Sequence, residues 1–236
     1  MDENEFLAHK FSFIIKYNFF DFMDNLKRRR FLKLALSLPF IGTIISCKKE
    51  PTSINQTSNT LLSKNPEAMM LSKSMKREQV YAMLDQRVQL TMEQSHNCAQ
   101  STFYALSNQF GLGGDDVLKA LTPLPGIAER GETCGAITGA LMAMGMIYGR
   151  DRLDDWEKYR SSLVPTNKFC KKFEEEMGTT LCCQIQERAF GKRYNLMNPD
   201  DLRSFQKAGA TTKCTKVVQK ACRFAAEIIL EEQQDA

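Results

Sequence analysis

Apolar residues recur at helical spacing through the C-terminal two thirds of the chain. Val80, Leu84 and Val88 repeat every four residues, and Phe103, Leu106 and Phe110 follow at intervals of three and four. Such spacing lays one apolar stripe along each helix. The glycine-rich residues 111–114 end the second helix, and Asp115 or Asp116 can open a short third. Pro123, Pro125, Gly126 and Gly131 predict a rigid loop, after which Thr133 can cap a helix running to Tyr148. Leu153, Trp156, Arg160 and Leu163 mark a further helix, and Phe169, Phe173 and Met177 continue it beyond Pro165. The last helix has the clearest stripe, with Cys214, Val218, Cys222, Ala225 and Ile229 on one face. No segment alternates with the period of two that a half-buried strand needs. The pattern predicts an all-α fold, a compact multi-helix bundle over residues 75–236.

Upstream of that bundle the pattern changes character. Lys27, Arg28, Arg29 and Arg30 precede a mostly apolar run of 16 residues, 31–46, interrupted by Lys33, Pro39, Gly42 and Thr43. A bilayer span needs ~20 apolar residues, so the run suits a signal peptide rather than a transmembrane helix. Residues 28–33 read Arg-Arg-Arg-Phe-Leu-Lys, close to the twin-arginine pattern R-R-x-F-L-K. Ile44-Ile45-Ser46-Cys47 has the form of a lipobox, so the mature chain is expected to begin at a lipidated Cys47. Each buried acyl CH₂ adds ~0.8 kcal/mol of membrane attachment. Residues 23–46 are therefore read as a twin-arginine-like lipoprotein signal and residues 47–74, polar and carrying Pro51 and Pro66, as a flexible tether. Residues 1–22 show no clean period and read as an unfolded leader or a start assigned too far upstream. The expected location is outside the cytoplasm, on the periplasmic or outer side of a membrane held through the lipid.

Composition narrows the chemistry. Of the +4 net charge, half comes from residues 1–46, where seven basic groups face five acidic ones. No basic stretch interleaved with aromatics occurs in the folded part, so no nucleic-acid partner is expected. Eight cysteines are many, while His9 and His96 are the only histidines, which excludes histidine-rich metal sites. The absence of C-x-x-C and C-x-x-C-H argues against thioredoxin-type exchange, zinc ribbons and covalent haem.

Cys134 stands at the start of a helix, directly after a Pro/Gly loop. Free amides and the helix dipole favour negative charge there, so its thiol is expected to ionise more easily than an isolated cysteine and to be the reactive, catalytic thiol. Gly135 and Gly139, with Ala136, Ala140 and Ala143, give the following helix a face almost without side chains. Each mid-helix glycine costs ~1 kcal/mol relative to alanine, which close approach of another helix or of a cofactor would offset.

These residues carry a resemblance. Asn97-Cys98-Ala99-Gln100, then Cys134-Gly135-Ala136-Ile137-Thr138-Gly139, then Gly178-Thr179-Thr180-Leu181-Cys182 and finally Cys214 resemble the redox-active proteins named for their C…GCAxxG…C…C pattern, over about residues 80–232. The resemblance implies a helical domain and redox function through an iron–sulfur cluster, with Cys98, Cys134, Cys182 and Cys214 as metal and cofactor ligands. Four thiolates can complete a [2Fe–2S] or [4Fe–4S] cluster. It also implies a redox partner that is an oxidoreductase or transporter component. The chain reads Cys-Gly-Ala where the family name has Gly-Cys-Ala, which leaves the match at Cys134 open by one position.

Two other readings stand beside the cluster: a cofactor-free thiol–disulfide oxidoreductase attacking through Cys134, and a binding lipoprotein stapled by disulfides. Structural zinc is less suited to four thiols without close pairs. Of the remaining cysteines, Cys170 and Cys222 fall on apolar stripes and read as core residues, and Cys183 is expected to turn away from Cys182. Cys214 and Cys222 lie ~12 Å apart along one helix, too far for a disulfide. His96 reads as a surface residue.

Overall fold

The stripe of Val80, Leu84, Val88 and Met92 becomes the buried face of the first long helix, every one of these side chains excluded from solvent. The chain divides into a unit of residues 1–56 and one of residues 57–236; the computed structural model describes residues 62–232, all within the second. The expected signal peptide, the expected lipidation at Cys47 and the upstream extension thus lie outside the described residues. Ten helices are described: α1 (Pro66–Ser74), α2 (Arg77–Ser95), α3 (Cys98–Phe110), α4 (Asp115–Ala120), α5 (Gly126–Glu129), α6 (Gly135–Tyr148), α7 (Trp156–Met177), α8 (Cys182–Phe190), α9 (Pro199–Lys207) and α10 (Ala210–Glu232). Among the described residues there is no strand, only two isolated bridges. The fold is all-α.

α3 is the centre of the bundle and packs on α6, α2 and α10, while α10 also covers α7. Phe103 and Phe110 of α3 and Phe169 and Phe173 of α7 are fully buried; each contributes roughly 1.5–3 kcal/mol by leaving water. Gly111, in the left-handed region at φ 64°, ends α3 as expected. Among the described residues no helix is long and apolar enough to cross a membrane.

Three expectations change. The tether does not extend to residue 74: α1 is a capped helix, with Asn65 accepting from the Glu67 amide and Pro66 in its first turn. Its buried Ser72 donates to the Gln109 carbonyl of α3 and accepts from Gln109 Nε2, both at 2.9 Å. Polar composition hid a docking surface built from hydrogen bonds rather than from a stripe. Second, the N-cap of α6 is Cys134, not Thr133; Thr133 is taken up in a bridge to Leu181. Third, the start of the α7 stripe is not buried, for Leu153 is 88% and Trp156 67% exposed. Only beyond Pro165, which the helix accommodates, does α7 enter the core.

Candidate thiol site at four helix ends

Three of the four cysteines of the pattern stand where a helix begins. Cys98 is the first residue of α3, Cys134 the N-cap of α6 and Cys182 the first residue of α8; Cys214 lies in the second turn of α10. Asn97 caps α3, its side-chain oxygen accepting from the Gln100 amide at 3.0 Å while its nitrogen donates to the Thr122 carbonyl. Gln100 Nε2 donates to the Leu118 carbonyl and the Thr122 hydroxyl. The two amide side chains flanking Cys98-Ala99 thus clamp the end of α4 over the start of α3.

Cys134 and Cys182 are joined by two loops running antiparallel. The Cys134 amide donates to the Thr180 carbonyl at 2.9 Å, the Cys182 amide to Glu132 at 2.6 Å and the Cys183 amide to Gly131 at 2.9 Å. Gly178, at φ 70°, stops α7, and the Thr179 hydroxyl accepts from the Leu181 amide, so the chain turns into α8 within a few residues.

The side-chain-poor face of α6 meets α3. A β-carbon on Gly135 would overlap Cys98 Sγ and lie 2.9 Å from the Ala99 nitrogen; one on Gly139 would overlap the Ala99 carbonyl oxygen. The glycines therefore serve helix packing, and they bring the start of α6 onto Cys98. The exchanged order of the motif still leaves a thiol beside Cys98. The β-carbon direction of residue 135 points at Cys98 Sγ, and Cys134 reaches that sulfur from the N-cap, one residue earlier.

Electrostatics divide the four thiols. Cys98 and Cys134 share a hydrogen bond that, with the Gly135 and Ala99 amides, holds the Cys98 thiol below its ordinary value despite burial. Cys134 is pushed well up, first by that hydrogen bond and then by burial. The easy ionisation expected of Cys134 runs against this direction: the shared hydrogen bond and burial outweigh the Ala136 amide at the start of α6. Burial and then negative charge at Cys98 push Cys182 up to about 12. Burial, then charge at Cys98 and Cys182, push Cys214 up to about 12. Cys98 and Cys182 are each within electrostatic reach of the other three thiols. Gln186 Nε2 adds a donor 3.6 Å from Cys182 Sγ, which sequence spacing did not reveal.

The other cysteines are placed differently, although charge at Cys183 adds to the rise at Cys182. Cys183 packs against Gly131 and influences Arg193. Cys170 is half-buried on α7, and Cys222 is fully buried with its thiol 3.9 Å from the Thr102 carbonyl. His96 is exposed, its Nδ1 3.0 Å from the Thr211 hydroxyl. All seven cysteines among the described residues are free thiols, so the stapled scaffold has no bridge there.

Among the described residues no three His, Cys, Asp or Glu side chains form a ready site for one metal ion. An iron–sulfur cluster asks for something wider, with ligand sulfurs spread over ~6–8 Å. The set fits one in number and softness of donors. The hydroxyl of Thr215, next after Cys214, is buried without a hydrogen-bond partner, as a group turned towards a ligand would be. No curated protein and no solved structure matches the chain. A family model described as "Putative redox-active protein (C_GCAxxG_C_C)" matches residues 96–228, from the cap before Cys98 to the core of α10. The chain belongs to this redox-active family.

Proposed function

We propose that the protein is an exported electron-transfer protein whose redox centre is an iron–sulfur cluster held by Cys98, Cys134, Cys182 and Cys214. The observation that carries this reading is that four free thiols from four different helices converge on Cys98 and Cys182, each of which acts on the other three. When bound, such a cluster supplies one-electron chemistry at a potential set by its surroundings. The chain's own part is to gather the thiols and to aim the Gly135 and Ala99 amides at Cys98. In the same reading residues 23–46 direct export and Cys47 carries the lipid. In this reading the protein's redox partner is an oxidoreductase or transporter component.

A second reading draws on the hydrogen bond between Cys98 and Cys134. In it the pair works as a dithiol: Cys98, as thiolate, attacks one sulfur of a substrate disulfide and expels the other as thiolate. Cys134, once deprotonated, then attacks Cys98 Sγ and releases the first substrate sulfur. The protein is left as a disulfide and the substrate as two thiols. This exchanges the roles first expected, with Cys134 resolving rather than attacking.

An anaerobic absorption spectrum with iron and sulfide analysis separates the two. Visible bands that disappear in Ser variants of Cys98, Cys134, Cys182 or Cys214 but persist in Cys222→Ser support the cluster. A colourless protein that reduces a model disulfide, and loses that activity in Cys98→Ser, moves the function to the dithiol. A colourless protein without disulfide reductase activity ends both.

A further inference from the structure

Thr215 is 3% exposed and its hydroxyl has no hydrogen-bond partner. This is unusual in a helix, where a threonine can bond back to the carbonyl four residues earlier. Thr91, Thr102 and Thr166 all do so here. Thr215 makes no such bond to the Thr211 carbonyl. A buried hydroxyl with nothing to bond is costly, and the fold retains it next to a cysteine of the site.

Its neighbours on the same stripe show its level in the bundle. On the same stripe of α10, one turn earlier, Thr211 touches His96 at 3.0 Å. Two turns later, the Cys222 thiol lies 3.9 Å from the Thr102 carbonyl. His96 and Thr102 bracket Cys98, so Thr215, ~6 Å beyond Thr211 and ~10.5 Å before Cys222 along the axis, stands at the level of Cys98. Cys214 precedes it directly.

We propose that Thr215 is a further residue of this site, its hydroxyl donating a hydrogen bond to a sulfur, sulfide or cysteine thiolate, of the group held by the four cysteines. The proposal rests on the iron–sulfur reading above. A donor to such a sulfur offsets its negative charge, holds the cluster more tightly and raises its potential.

The test compares Thr215→Val, which removes the hydroxyl at nearly constant shape, with Thr215→Ser, which keeps it. Full chains are reconstituted anaerobically with iron and sulfide. Before loading, Thr215→Val should resist urea at least as well as the parent, because it loses no hydrogen bond. After loading it should yield iron to a chelator about 2- to 10-fold more readily, the worth of one hydrogen bond, with a more negative midpoint potential. Thr215→Ser should keep both parental values. Equal chelator resistance and equal potential in the valine variant would overturn the role of Thr215 while leaving the cluster intact. So would a valine variant weakened as much before loading as after it. A parent chain that takes up no iron and sulfide overturns both this proposal and the reading beneath it.

Discussion

At Cys98 the local hydrogen bonds outweigh burial; at Cys182 and Cys214 burial wins. The difference is one of donors: Cys98 receives from Cys134 and from backbone amides, whereas Cys214 has burial and neighbouring negative charge acting on it in the same direction. An ordinary thiol ionises near ~8.5, and the thiolate is the nucleophile. Alkylation of Cys98 in the reduced, cofactor-free protein should therefore rise at lower pH than that of an ordinary thiol. Labelling of Cys182 and Cys214 should still be rising towards pH 12. Peptide mapping with limiting reagent at about pH 7.5, a unit below the ordinary thiol value, should find Cys98 labelled ahead of Cys134 and of the fully buried Cys222. Cys134 labelled first at that pH would restore it as the site's thiolate.

At the scale of elements, the crossing of α3 and α6 sets the site. Gly135→Ala and Gly139→Ala each push a methyl group into the backbone of α3, and overpacking of this kind costs about 1–3 kcal/mol. Gly145, on the same helix, has nothing within 4 Å of an added β-carbon and is exposed. Gly145→Ala should stabilise by roughly 0.4–1 kcal/mol through the unfolded chain. Urea unfolding of the three cofactor-free variants checks the contrast; equal effects at all three positions would mean that helix propensity, not the crossing, decides. The crossing was legible beforehand because two glycines four residues apart, amid alanines, make a face that only a close neighbour explains. The buried stripes of α2, α3 and α10 were legible because burial imposes the period. The pairing of the loops around Thr133 and Leu181 was not, since its bonds run from backbone to backbone and leave no side-chain signature. Thr215 escaped notice for a related reason: its stripe marks it as core, and only the neighbouring hydrogen bonds reveal that its hydroxyl lacks one. The exposed Leu153 and Trp156 show the opposite failure, an apolar spacing that the fold does not bury.

At the scale of the whole chain, the proposed route of export bears on how the redox site is made. The four proposed ligands, spread from residue 98 to residue 214, come together only when the helices have packed, so in the proposed reading a cluster is loaded into a folded domain. A twin-arginine signal suits a domain folded around its cofactor before it crosses the membrane, whereas an oxidising compartment reached unfolded would favour disulfides among the same cysteines. The feature that separates twin-arginine from ordinary secretory export is the identity of Arg28 and Arg29 rather than their charge. Lysine keeps the charge but not the planar guanidinium, so a basic n-region of the ordinary kind would work as well with lysine at both positions. The double substitution R28K/R29K should therefore leave the chain uncleaved and without added acyl mass, as intact-mass measurement of fractionated cells would show. The unaltered chain should appear in the membrane fraction cut before Cys47 and heavier by its acyl groups. Normal cleavage and lipidation of the double variant would assign the signal to the ordinary secretory route. The cysteines of the domain would then meet the oxidising side before they had folded, and the dithiol reading would gain over the cluster.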